Sequence, residues 1–100
     1  MSKVTPNYSY PLRSEWRTDE IITVMAFYNA VEAVYEKGFP RKELLAAYQA
    51  FKEVVPDKMT EKQLDAEFNE SSGYSLYRAM QAARMGEQPM VHLKGGEPDE

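Results

Sequence analysis

The sequence predicts an all-α fold: a compact bundle of about four helices, with an extended N-terminal arm and a flexible acidic C-terminal tail. Three observations predict it. Apolar residues recur at helical spacing in four successive segments. Capping and breaking residues stand at the ends of those segments. The 100 residues are 43% apolar and include twelve aromatics, ample for a folded core. One domain is expected at this length, with residues 1–86 forming it, the arm at 1–17, and a mobile acidic tail at 87–100.

In the arm, "YSYPLRSEW" sets Tyr8, Tyr10 and Leu12 in alternation around Pro11, with Trp16 as the expected anchor. The first helix follows in "TDEIITVMAFYNAVEAVYEKG". Thr18 is placed as its N-cap, Asp19 and Glu20 complement the macrodipole, and Lys37 and Gly38 mark its end. At 100° per residue, Asn29, Glu32 and Glu36 share one narrow arc, and most of the rest is apolar. A helix apolar over so much of its circumference needs cover on several sides. It is therefore the centre of the domain or half of a subunit interface.

Pro40 opens the second helix, where its missing N–H has no intrahelical partner. Leu44, Tyr48, Phe51 and Val55 then fall at i, i+4, i+7 and i+11, and Pro56 ends the segment. The third helix reads from "MTEKQLDAEF", with Thr60 and Gln63 as a capping box and Met59 stapled against Leu64. Its apolar stripe is thin, mainly Leu64 and Phe68. In "SSGYSLYR", Gly73 suits the left-handed position after that helix, and Tyr74 is placed to pack back on Phe68. Ser75 caps the fourth helix, "LYRAMQAARMG", whose inner face is Leu76, Met80 and Ala83. The final stretch, "EQPMVHLKGGEPDE", is rich in Gly, Pro and acid and is expected to be mobile beyond about Pro89.

Several of these motifs, in this order, resemble a known family. "YSYPL" with "EWRTDEI", then "AVEAVYEKG", "AYQAFKEVVPDK", and "EF" followed by "SGYSLYR" run from Tyr8 to about Arg84. The chain is similar to uncharacterised protein family 0223, small cytosolic proteins of Gram-positive bacteria. The resemblance implies a helical bundle of about four helices. It implies no activity, and no functional residues come with it. The acidic stretch after Gly86 has no counterpart in the pattern.

Composition narrows the function classes. The net charge is −4, distributed in alternating blocks: +2 over 1–17, −3 over 18–37, +1 over 38–56, −3 over 57–73, +2 over 74–86 and −3 from 87. No long basic face tracks a phosphate backbone. With no cysteine there is neither a disulfide framework nor a thiolate metal site. No leader-like apolar stretch opens the sequence, and no apolar run approaches the roughly 20 residues of a membrane span. A cytoplasmic protein is expected, with no membrane partner.

Catalytic residues are few. His92 is the single histidine, within the tail, and "KGG" is not a phosphate loop. The pairs Glu61 with Asp65 and Glu32 with Glu36 read as solvated helix faces. No enzyme activity, cofactor, metal or small-molecule substrate is expected. Tyr77, Arg78, Gln81 and Arg84 populate the polar side of the fourth helix and form the candidate interaction surface. Tyrosine and arginine are enriched at binding hot spots. The competing placement turns Tyr77 to the edge of the core and pairs Arg78 with a carboxylate of the third helix. The leading expectation is a non-catalytic protein-interaction module, binding an unknown partner or itself through spare apolar surface on the first helix. The alternative is a helix-turn-helix-like nucleic-acid binder using the fourth helix, with Arg78, Gln81 and Arg84 as contacts. The acids Asp65, Glu67 and Glu70 just before that helix weigh against it.

Overall fold

The computed structural model describes residues 10–93. Four helices, α1 (Thr18–Glu36), α2 (Arg41–Val54), α3 (Lys58–Ser72) and α4 (Leu76–Met85), make up most of it. Two short strands, β1 (Phe39–Pro40) and β2 (Met90–Val91), pair antiparallel, with Phe39 opposite Val91 and Pro40 opposite Met90. The all-α bundle is as the apolar spacing requires. Tyr8 and residues 94–100 lie outside the described residues.

The core is built around α1. Val24, Phe27, Tyr28, Ala30, Val31, Val34 and Tyr35 are buried along its length. Leu44 and Phe51 of α2, Val55 just after it, Leu64 and Phe68 of α3, and Leu76, Ala79, Met80 and Ala83 of α4 close around them. Aromatic rings join the layers: Phe27 meets Phe51 at 4.7 Å between centroids, and Tyr28 stacks on Phe68 at 5.0 Å. Such pairs add about 0.5–1.5 kcal/mol each beyond the area they bury.

The arm crosses α1 through Tyr10 and Pro11. Tyr10 lies 5.7 Å from the Tyr28 ring, and the buried Tyr28 hydroxyl donates to the Pro11 carbonyl at 2.8 Å. Trp16 packs half-buried against the core, and Arg13 pairs with Glu67 at 2.9 Å, so the arm is held along its length. The polar arc of α1 is where the tyrosines attach. Tyr10 donates to Asn29 at 3.1 Å and to Glu32 at 2.9 Å, and Tyr74 donates to Glu36 at 2.9 Å.

Four local readings are corrected. The N-cap position of α1 is Arg17, not Thr18, because the Arg17 N–H is taken by the Glu20 carboxylate at 2.9 Å. Pro40 sits one residue ahead of α2, its extended backbone paired with β2. Asp57 rather than Thr60 caps α3, accepting from the Thr60 N–H at 2.8 Å. The helix thus starts two residues before Thr60, and Met59 points outward, 70% exposed, with no staple on Leu64. Gly73 does adopt φ +84 at the end of α3, but Tyr74 stacks on Tyr35 at 4.5 Å instead of Phe68. The Phe68 face is already occupied by Tyr28 and Tyr10.

The chain beyond Pro89 also differs from the expected mobile tail. Val91 is buried, the Arg41 N–H donates to the Pro89 carbonyl at 2.8 Å, and the Leu93 N–H donates to Val34 at 3.0 Å. Gly38 takes φ +96, a left-handed conformation that glycine enters freely, as the chain turns from α1 into β1. The packed fold therefore continues to Leu93, past the Gly86 boundary.

Candidate functional site

The outer face of α4 is set by how tightly its inner face is held. Leu76, Ala79, Met80 and Ala83 are buried, which follows from their i, i+3, i+4, i+7 spacing. The N-terminus is doubly capped. Ser75 Oγ accepts from the Arg78 N–H at 3.1 Å, and the Asp65 carboxylate accepts from the Leu76 N–H at 2.8 Å and the Tyr77 N–H at 3.3 Å. Burial pushes the Asp65 carboxyl above its ordinary value, and the two amides pull against that shift. At the other end, the Arg41 guanidinium donates to the Ala83 carbonyl at 2.7 Å. Both ends are thus tied to other helices.

With that face fixed, helical geometry turns the four candidate residues outward. Tyr77 is 60% exposed, and Arg78, Gln81 and Arg84 are exposed. The inward placement of Tyr77 is not adopted, and Arg78 has no ion pair with an α3 carboxylate. Asp65 is engaged by the α4 amides, and Glu67 by Arg13 at 2.9 Å. Arg84 lies over the Tyr48 ring, 5.2 Å from its centroid. The Tyr48 hydroxyl donates to Glu61 at 2.7 Å, and Lys52 pairs with the same carboxylate at 2.7 Å. Burial works against the Glu61 charge, but the bonds from Lys52 and Tyr48 outweigh it and hold the carboxyl below its ordinary value.

The structure adds two residues to this face. Met85 is 76% exposed, one turn beyond Gln81. Its i+4 and i+7 relation to Gln81 and Arg78 is legible in the sequence. Leu93, arriving from beyond β2, is not; no local pattern announces a neighbour so distant in sequence. Arg78, Gln81, Ala82, Met85, Gly86 and Leu93 line one open groove of about 520 Å³.

The remaining polar candidates are drawn into the fold. Glu61 and Asp65 serve different partners, while Glu32 and Glu36 receive the hydroxyls of Tyr10 and Tyr74. His92 is exposed beside β2. Among the described residues, no group of three or more potential metal ligands comes together. No helix there is long and apolar enough to cross a membrane.

These features define a small all-α domain: a central helix, a crossing arm, and a last helix pinned at both ends. The chain belongs to the family described as "Uncharacterised protein family (UPF0223)", which it matches over residues 7–92. All four helices and both strands fall inside that span. It is 53% identical over 87 residues to a UPF0223 protein of Streptococcus thermophilus, covering 87% of this chain and 94% of the relative. A Bacillus mycoides relative is 51% identical, covering 86% of this chain and 98% of its own length. The UPF0223 protein YktA of Bacillus subtilis is 46% identical over 86 residues, again covering 98% of the relative.

Proposed function

We propose that the chain is a non-catalytic protein-interaction module of the cytoplasm, receiving a partner protein on the outer face of α4 through Tyr77, Arg78, Gln81 and Arg84. One observation carries the reading. On a chain of net charge −4, Tyr77 and Met85 stand 60% and 76% exposed beside two arginines that have no carboxylate partner among the described residues. Large amphipathic side chains beside arginine are the composition of binding hot spots. What supports the absence of catalysis is the engagement of the tyrosine hydroxyls and carboxylates with one another, as structural ties. Self-association through α1 has less behind it, because Ile22 is the large hydrophobic that α1 leaves exposed.

The nucleic-acid alternative uses the same arginines. Against it, Asp65 occupies the amides of the α4 N-terminus, the end a recognition helix presents to DNA. A photoreactive amino acid at Gln81, introduced in living cells, tests the proposal, with the same group at the exposed Glu53 of α2 as control. A protein captured at Gln81 and lost in Tyr77→Ala/Arg78→Ala is the expected result. Equal capture at both positions, or capture indifferent to the double substitution, refutes the α4 face.

A further inference from the structure

The groove beside α4 narrows the chemistry of the partner. Apolar Ala82, Met85 and Leu93 line it beside Arg78 and Gln81, and no acidic side chain does. It is open to solvent, which suits a laid-in chain better than an enclosed small molecule. Charge then selects among chains. Of the five arginines, Arg13 and Arg17 pair with carboxylates and Arg41 bonds the Ala83 carbonyl. Like Arg41, Arg78 and Arg84 of α4 pair with no carboxylate among the described residues, but neither is tied to a backbone carbonyl in its place. Arg84 is held over Tyr48, which leaves Arg78 as the open guanidinium fork at the groove.

We infer that this groove receives a short acidic segment of a partner protein, seating one apolar side chain against Ala82, Met85 and Leu93 and a neighbouring carboxylate on Arg78. The inference rests on the α4 reading above and adds to it the partner's chemistry. A guanidinium takes a carboxylate through two parallel hydrogen bonds. Arg84 adds to the positive field that steers the acid in. A phosphate backbone would match the arginines, but it supplies no apolar group for Ala82, Met85 and Leu93.

The test is selection of a random peptide display library on the immobilised full-length chain. Short peptides with Asp or Glu beside a large apolar residue should be enriched. An enriched peptide should shift the methyl resonances of Met85 and Leu93. Arg78→Glu should weaken that peptide at least about tenfold, and Arg78→Lys should weaken it less. Both substitutions are on the surface, and an unchanged thermal melt shows that the fold is intact. Enrichment of basic or purely polar peptides, no enrichment, binding indifferent to Arg78→Glu, or tighter binding of a DNA duplex than of any selected peptide would each overturn the inference. Capture at Gln81 in cells without acidic enrichment leaves the interaction module standing and removes only the acidic partner. Acidic peptides bound in the groove without cellular capture do the reverse.

Discussion

Gly73 shows how one residue sets the α3–α4 corner. Its φ of +84 is costly for any residue with a Cβ, yet nothing lies within 4 Å of where that atom would stand. Substitution there isolates backbone strain from steric clash. Gly73→Ala should destabilise by about 1–2 kcal/mol, the left-handed penalty of an L-residue, seen as a lower denaturation midpoint with unchanged slope. Gly73→Asn should cost less, since asparagine enters this region more readily. The tyrosines carry a pH dependence of their own. Burial, reinforced by a carboxylate acceptor, raises Tyr10 and Tyr74 to about 12, while burial also raises Tyr28, Tyr35 and Tyr48. A value raised by folding means that the neutral hydroxyl is favoured in the folded state. That stabilisation is complete below the ordinary tyrosine value of 10.0 and is lost as pH climbs through about 12. Ultraviolet titration of the folded chain should therefore show a large class of phenolates appearing late, together with alkaline loss of stability. Tyr10→Phe should remove part of that loss; a titration centred at the ordinary value would contradict the burial of these rings.

Among the elements, α1 and α2 were most legible in the sequence because their apolar spacing is local, although each begins one residue away from its expected first turn. The Leu44, Tyr48, Phe51, Val55 row needs only the 3.6-residue period to predict which side is covered. The start of α3 was misplaced because two good caps, Asp57 and Thr60, stand three residues apart, and the structure uses the first. The strand pair was invisible: two residues on each side carry no period, and their pairing joins positions about fifty apart. The direction of Tyr77 was open for a related reason. It lies at the border of the apolar arc of α4, and only the anchoring of that helix by Asp65 and Arg41 decides the side. The β2 segment yields a quantitative test. Val91 is 5% exposed, and Pro89 and Leu93 each join a backbone bond to another element. Burying a valine contributes about 1.5–3 kcal/mol, and each hydrogen bond about 0.5–1.5 kcal/mol. A chain ending at Gly86 should therefore be less stable by about 2.5–6 kcal/mol than one ending at Leu93, by chemical denaturation. Equal midpoints would place the fold boundary back at Gly86.

For the whole molecule, the question is whether the apolar circumference of α1 is answered within one chain. Seven of its residues are buried by α2, α3, α4, the arm and the segment from β2 to Leu93. The radius of gyration, 13.1 Å, is that of a single folded domain of this size, about 13 Å for 100 residues. Ile22, 63% exposed, is the large hydrophobic left over on α1. One side chain is far less than the roughly 800 Å² per partner of a stable interface. The remaining exposed apolar groups of α4, Tyr77 and Met85, are flanked by Arg78 and Arg84, and two copies brought face to face there would oppose like charges. Both surfaces are therefore poor at joining two copies. The isolated chain should sediment as a monomer at micromolar concentration, and Ile22→Lys should leave that behaviour unchanged. A dimer that Ile22→Lys dissolves would return the interface to α1. A dimer that dissolves only with Arg78→Glu would show that the partner of α4 is a second copy of this chain.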